Sequence, residues 1–227
     1  MLSLTARSNS VTELITQASD RFAASPIRLL ANHYASALNA PAHFVEMLFL
    51  IEDKRFPFHL GVDPIAICRA IVFNRRGCAL QGASTLVQQL YNIHQNDLRC
   101  CHRNRTYGRK LRQSLWAIYM AAHRSKTALL MEYVEHVYWG GSINGLDQAA
   151  KTYFGKLRRD LSPAQSFFLA ERIAMPNRCS VRRVGNLLLR PAIQSVLRRY
   201  QACIEDVISI YEDSFGAGGE LWRFQAK

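Results

Sequence analysis

No run of about 18 apolar residues occurs anywhere in the chain, so no stretch reads as a membrane-spanning helix. No Cys-x-x-Cys pair is present either. The six cysteines are Cys68, Cys78, Cys100, Cys101, Cys179 and Cys203. Cys100, Cys101 and His102, with His94 nearby, fit no usual zinc spacing, so no metal ligands are assigned. Free thiols are the reading, and they suit a reducing compartment. Internal repeats, low-complexity linkers and strong strand signals are lacking. The opening residues lack the apolar core of a signal peptide, so a soluble or peripheral chain is expected. Acidic residues are scarce: 17 Asp and Glu face 29 Lys and Arg, for a net charge of +12. That balance favours an anionic partner: nucleic acid, anionic lipid or a phosphorylated substrate. What the chain does have is apolar content, 49% over 227 residues. That is enough for one large domain or two small lobes around a packed core.

Helix signals dominate. Ser10 and Glu13 form a capping box that predicts a helix near 11–24. Pro26 starts a second through Leu29, Leu30 and Tyr34, and Pro41 opens a third through Phe44, Met47, Leu48 and Ile51. Residues 64–74 read as helical. A helix from Ser84 would bury Leu86 and Leu90, with Ser84 as cap and on the same face as Gln88. From Gly108 the period predicts a helix burying Leu111, Leu115, Ile118 and Ala122, with Arg109 and Gln113 projecting together. Another spans Lys126 to Trp139, ended by Gly140 and Gly141. Ser162, Pro163 and Gln165 cap a helix near 163–174. One last amphipathic helix is expected over 191–212, with Arg198 and Arg199 on its outer face. The expectation is a mainly α fold in one or two lobes around a cleft.

Two polar stretches stand out beside these apolar helices. One carries Glu52 at a helix end, followed by Asp53, His59 and Gly61. The other is Ser84-Thr85-x-x-Gln88-Gln89. A helix-terminal carboxylate can face a cleft, where part burial raises its pKa toward that of a useful base. It can equally pair with a neighbouring cation. His59 reads first as a hydrogen-bonding residue within its own turn, and Tyr153-Phe154-Gly155 as packing and a helix stop. Arg99 to Arg112 is a basic run that could be a solvated face.

These residues resemble a known family. Glu52-Asp53-x-x-Phe56-x-x-His59-x-Gly61-x-Asp63, with Arg69-Ala70, resembles the first motif of the peptidoglycan glycosyltransferases, the transglycosylase domains of penicillin-binding proteins and their monofunctional relatives. Gly82-x-Ser84-Thr85-x-x-Gln88-Gln89-Leu90 resembles the second motif, and Arg105-Thr106-x-x-Arg109-Lys110 the third. Lys126, Tyr133, Gly140 and Ala149-Ala150-x-x-Tyr153-Phe154-Gly155-Lys156 resemble the fourth and its sequel. Four motifs in order are a specific signal where one would be weak.

The resemblance implies a lysozyme-like, two-lobed helical fold with three parts: an N-terminal helical extension over 1–40, a glycosyltransferase core over 41–180, and a C-terminal helical segment over 181–227 packed on that core. It implies polymerisation of lipid II into glycan strands at the outer face of the bacterial inner membrane. Glu52 is the implied general base. Asp53, Phe56, His59, Ser84, Thr85, Gln88, Gln89, Arg105, Arg109 and Lys110 are the implied substrate-binding residues. A divalent cation, magnesium or manganese, is an implied cofactor. The implied partners are lipid II, the growing strand, the membrane surface and cell-wall synthesis proteins. Residues 64–80 are candidates for membrane contact through Ile65, Ile67, Ile71, Val72 and Phe73, or equally for core.

The chain also departs from the pattern. Asn92 stands where the second motif has lysine, and Gln113 where the third has its second catalytic carboxylate. Met131 replaces a glutamate and Glu135 an asparagine in the fourth. Gln113 hydrogen-bonds but cannot ionise. Three readings follow: a divergent enzyme, a degenerate relative that binds lipid-linked glycan without turnover, and a basic helical nucleic-acid binder that rests on charge alone. Glu132 or Glu135 is a candidate to replace the lost carboxylate.

Overall fold

The computed structural model describes residues 27–75, 82–95 and 107–215. The expected helix near 11–24, Arg105, and Cys78, Cys100, Cys101 and His102 lie outside these residues. The fold is mainly α, as a lysozyme-like chain requires. Helix α1 is described over 27–38 and buries Ile27, Ala31, Tyr34, Ala35 and Leu38 on one stripe. Asn39, at φ 47°, ends it. Helix α2, Ala42–Glu52, follows Pro41 and is buried along almost its whole length, from His43 to Leu50. It packs against α8, Pro163–Arg172, and against α10, Pro191–Arg199. Such all-round burial makes α2 the axis of the molecule. Its one mid-helix carboxylate, Glu46, is paired by Arg199 at 2.6 Å and the Tyr200 hydroxyl at 3.0 Å. Arg199 is therefore an inward partner and not part of an outer basic face. A buried carboxylate without such a partner would be costly.

Helix α3 covers Pro64–Arg75 and α4 covers Leu86–His94. The α4 cap is Thr85, not the expected Ser84: Thr85 and Gln88 form a reciprocal capping box. Ser84 therefore stands outside the helix and does not share a helical face with Gln88. Helix α5, Tyr107–His123, is reversed relative to its apolar period. Leu111, Leu115, Ile118 and Ala122 are exposed, while Gln113 and Ala117 are buried. The reason lies in what α5 packs on. Its inward face meets a backbone carbonyl of α4 and a tight glycine turn, which need an amide and a small side chain respectively.

Helix α6 runs Lys126–His136 and stops short of the expected Trp139. The chain instead enters a hairpin, β1 Tyr138–Gly140 against β2 Ile143–Asn144, antiparallel, with Tyr138 opposite Asn144. Trp139 is fully buried there and donates its indole N–H to the Leu169 carbonyl at 2.8 Å. Helix α7, Leu146–Phe154, ends at Gly155 in the left-handed conformation, as a helix stop should. A 3₁₀ turn at Arg158–Asp160 precedes α8. The expected single C-terminal helix is two, α10 and α11, Ile204–Phe215, broken where Gln201 takes φ 59°. A further helix, α9 at Val181–Leu188, was not anticipated. One hydrophobic cluster runs from α1 through α2 and α8 to α11.

The turn 53–63 joins α2 to α3 and closes on α5. Gly61 sits at φ +80°, and a Cβ there would lie 2.1 Å from the Ala117 carbonyl oxygen. Gly155 also has positive φ, +65°, but open space around it. Gly61→Ala is therefore expected to cost about 3 kcal/mol or more in urea unfolding, against about 1 kcal/mol for Gly155→Ala. Equal costs would mean that the turn does not depend on the Gly61–Ala117 approach.

Candidate active site

Helix α2 delivers Glu52 as its last residue, and Asp53 is its C-cap. The two neighbouring carboxylates have different surroundings. Asp53 is buried, and its Oδ2 accepts the Leu86 backbone N–H at 3.0 Å, at the N-terminus of α4. His59 Nε2 lies 3.1 and 3.0 Å from its two oxygens. Asp53 therefore fastens the end of α2 to the start of α4. Phe56 is fully buried and stacks on Phe49 at 5.3 Å. Lys126 covers the Phe56 ring at 4.7 Å and donates to the His59 carbonyl. Burial brings the Lys126 ammonium down to about pKa 8, with Asp53 pulling it back up.

Asp53, Phe56, His59, Thr85 and Gln88, expected as substrate contacts, are buried; Asp53 and Thr85 line the cleft, and Phe56, His59 and Gln88 lie behind it. Thr85 donates its hydroxyl to the Gly61 carbonyl, and Gln88 donates to Ser114 at 2.9 Å. The cleft itself is lined by Glu52, Lys54, Arg55, Arg69, Gly82 and Ser84, among others. Lys54 and Arg55 were not singled out from sequence. Their signal, two basic residues directly after the Glu52-Asp53 pair, was on view. Arg55 pairs with Asp63 at 3.4 Å. Arg55 Nε and Arg69 Nε are buried and have no hydrogen-bond partner among the described residues.

Glu52 has a side chain only 9% exposed. Gln89 Nε2 donates to its Oε2 at 2.9 Å, and Gln89 Oε1 accepts from the Tyr133 hydroxyl at 2.7 Å. Burial pushes the Glu52 carboxyl above its ordinary value. Arg183 and the Gln89 hydrogen bond pull it back, while Glu171 and Asp53 push it up. A carboxylate so placed is poorly solvated and has its proton affinity raised, which suits a group that takes up a proton.

Gln113 is buried on α5. Its amide nitrogen donates to the Gln88 carbonyl at 2.6 Å and to Asn92 Oδ1 at 3.2 Å. Lys110 donates to Gln113 Oε1 at 2.9 Å and to Ser84 Oγ at 2.8 Å. Lys110 and Ser84 thus stand together at the cleft, and Arg109 lies half-buried one residue before Lys110. Glu132 is paired with His94 and Arg124, and Glu135 with Arg158.

A transglycosylase family profile matches residues 26–201, most of the chain and every helix that builds the cleft. The chain belongs to the transglycosylase family. Among its relatives, penicillin-binding protein 1A of Aquifex aeolicus is 35% identical over 139 residues, covering 60% of this chain and 18% of that protein. Penicillin-binding protein 1B of Haemophilus influenzae is 33% identical over 145 residues, 61% of this chain and 18% of its own length. Penicillin-binding protein 1A of Neisseria flavescens is 30% identical over 180 residues, 74% and 22% respectively. The chain spans about a fifth of the length of these relatives. In this chain Asn92 and Gln113, the two positions expected to depart from the motifs, meet. They touch as a neutral amide pair, so neither leaves a buried charge unpaired.

Glu52 offers a direct test of this electrostatic picture. Its folded pKa lies above the ordinary 4.5, so the native state holds its proton longer than the unfolded chain does. From pH 4.5 upward, wild type should therefore lose stability relative to Glu52→Gln, until the raised folded pKa is passed. Urea unfolding of both proteins at pH 4.5 and pH 8 measures this. A gap that fails to grow with pH would remove the claim that burial dominates at Glu52.

Proposed function

We propose that the chain is a peptidoglycan glycosyltransferase that polymerises lipid II, with Glu52 as general base. The observation that carries this reading is the contrast between Glu52 and Asp53. Asp53 is bound up in the frame, whereas Glu52 is held by a donor on Oε2 at the edge of a cationic cleft. In the reaction, Glu52 takes the proton from the acceptor sugar hydroxyl as that oxygen attacks the donor's anomeric carbon. The new glycosidic C–O bond forms as the bond from that carbon to the lipid pyrophosphate breaks, and the pyrophosphate leaves as an anion. Lys54, Arg55, Arg69 and Lys110 supply positive charge around the cleft where that anion develops. Ser84 and Gln89 hold hydrogen-bonding groups at its wall.

Among the described residues no three His, Cys, Asp or Glu gather as ligands. Asp53 and Asp63 already serve His59, Arg55 and backbone N–H groups. No step is therefore routed through a metal.

A second reading, a relative that binds lipid-linked glycan without turnover, is favoured by one observation. Gln113 carries no charge and is closed in by Gln88, Asn92 and Lys110. Incubation of full-length protein with lipid II decides between the two. Wild type is expected to form glycan product, and Glu52→Gln to lose about a hundredfold or more in rate. Absence of product from folded wild type that still binds lipid II would establish the binding reading.

Contact with the membrane surface is part of the proposal. No described helix is long and apolar enough to cross a membrane. Leu111, Leu115 and Ile118 on α5, Leu60 and Phe58 on the adjoining turn, and Ile65, Ile71 and Val72 on α3 are instead exposed. Lys110 and Arg112 flank them as exposed cations. An outward apolar face rimmed by positive charge suits an anionic bilayer. Flotation with vesicles containing phosphatidylglycerol should recover wild type, and Leu111→Asp/Leu115→Asp should float several-fold less. Equal recovery would remove α5 from the contact.

A further inference from the structure

Glu52 is approached by a cation that none of the motif spacing includes. Arg183 lies 131 residues further along, in the first turn of α9, where Ser180 caps its backbone N–H. Its Nη2 is 3.5 Å from Glu52 Oε1 and its Nε 3.1 Å from Glu171 Oε1. Glu171, on α8, is 1% exposed and also accepts the Tyr211 hydroxyl at 2.7 Å. The guanidinium thus bridges two buried carboxylates while remaining a third exposed itself. Its planar fork suits that task, since two different nitrogens engage the two acids.

Groups from several elements face Glu52. Asp53 adjoins it on the chain. Helix α4 contributes Gln89, which carries the Tyr133 hydroxyl of α6 behind it. Helix α8 contributes Glu171 and α9 contributes Arg183. Two carboxylates, Glu52 and Glu171, are therefore drawn together around one bridging cation, with Asp53 next to Glu52 on the chain. The two Glu52 oxygens are held by different partners, Oε2 by Gln89 and Oε1 by Arg183. Such a clamp fixes the plane of the carboxylate as well as its charge.

We propose that Arg183 is a positioning residue for Glu52: anchored by Glu171, it holds the Glu52 carboxylate as an oriented anion at the cleft. This rests on the reading of Glu52 as general base. The effect of burial on Glu52 agrees with it, because Arg183 is the leading influence that opposes the upward pull. Removing an opposite charge at this range moves a carboxyl by about one pH unit or more.

The test uses the full chain, with Arg183→Met and Arg183→Lys. Two readouts are taken: NMR titration of the ¹³C-labelled Glu52 carboxyl, assigned by difference from Glu52→Gln, and the pH–rate profile of lipid II polymerisation. In Arg183→Met, the Glu52 titration and the acid limb of the rate should both rise by about one pH unit, with kcat affected more than KM. Arg183→Lys should recover most of the shift. If Arg183→Met fails to fold because Glu171 is left buried and unpaired, Arg183→Met/Glu171→Gln is compared with Glu171→Gln alone, and the same upward shift is expected. An unmoved Glu52 titration in the folded variant overturns the proposal. Full turnover by Glu52→Gln, with the titration still moved by Arg183→Met, overturns instead the base reading and leaves the Arg183–Glu52 clamp standing.

Discussion

The cleft depends on one carboxylate that is not proposed to do chemistry. Asp53 ends the central helix α2 and accepts the first N–H of α4, while His59 closes on its oxygens. That junction fixes two helices end to end. It determines where Glu52, one residue earlier, and Gln89, three residues into α4, point relative to each other. The same turn returns through Gly61 to α5 and receives the Thr85 hydroxyl. An anion at a helix N-terminus is favoured by the exposed N–H groups there. Within a buried setting that preference becomes a strong constraint, because the alternative is an unpaired charge.

Around this junction the molecule carries polar groups deep in an apolar core. Most are tolerated because they are matched; His59 Nδ1, Arg55 Nε and Arg69 Nε are buried without a hydrogen-bond partner among the described residues. Tyr133, Gln89, Glu52, Arg183, Glu171 and Tyr211 form one continuous chain from α6 to α11. Glu46 with Arg199 and Tyr200 forms another across α2 and α10. Networks of this kind are stable only when complete, so they also fix the relative placement of the helices that supply them. Helix α5 follows the same logic. It turns Gln113 inward to satisfy the Gln88 carbonyl and leaves its leucines outside.

Gln113 and Asn92 meet as neutral amides, so no charge is buried where they pack. Gln113 both donates and accepts, meeting Gln88, Asn92 and Lys110 at once, and Asn92 accepts through its Oδ1. A carboxylate at 113 would turn oxygen toward the Gln88 carbonyl and Asn92 Oδ1, which is repulsive. Asn92 and Gln113 are thus mutually compatible in this chain, and Lys110 stands at the cleft through Ser84.

Much of this was legible in the sequence. The apolar period placed α2 and α8, Pro41 and the Ser162 capping box marked their starts, and the spacing from Glu52 to Gln89 marked the cleft. These features are local: caps, turns and helical faces involve residues within a few positions of each other. Three things were decided only by the tertiary structure. Helix α5 reversed its apolar face, because packing against a carbonyl and a glycine turn outweighed the period. Several motif residues went into the frame, because a buried acid needs partners wherever they lie in the chain. Arg183 reached Glu52 across 131 residues, from a helix that the period did not reveal. Sequence by itself determined which residues could build a site. Their division into wall, frame and clamp arose from long-range burial, where the cost of an unmatched charge exceeds any local preference.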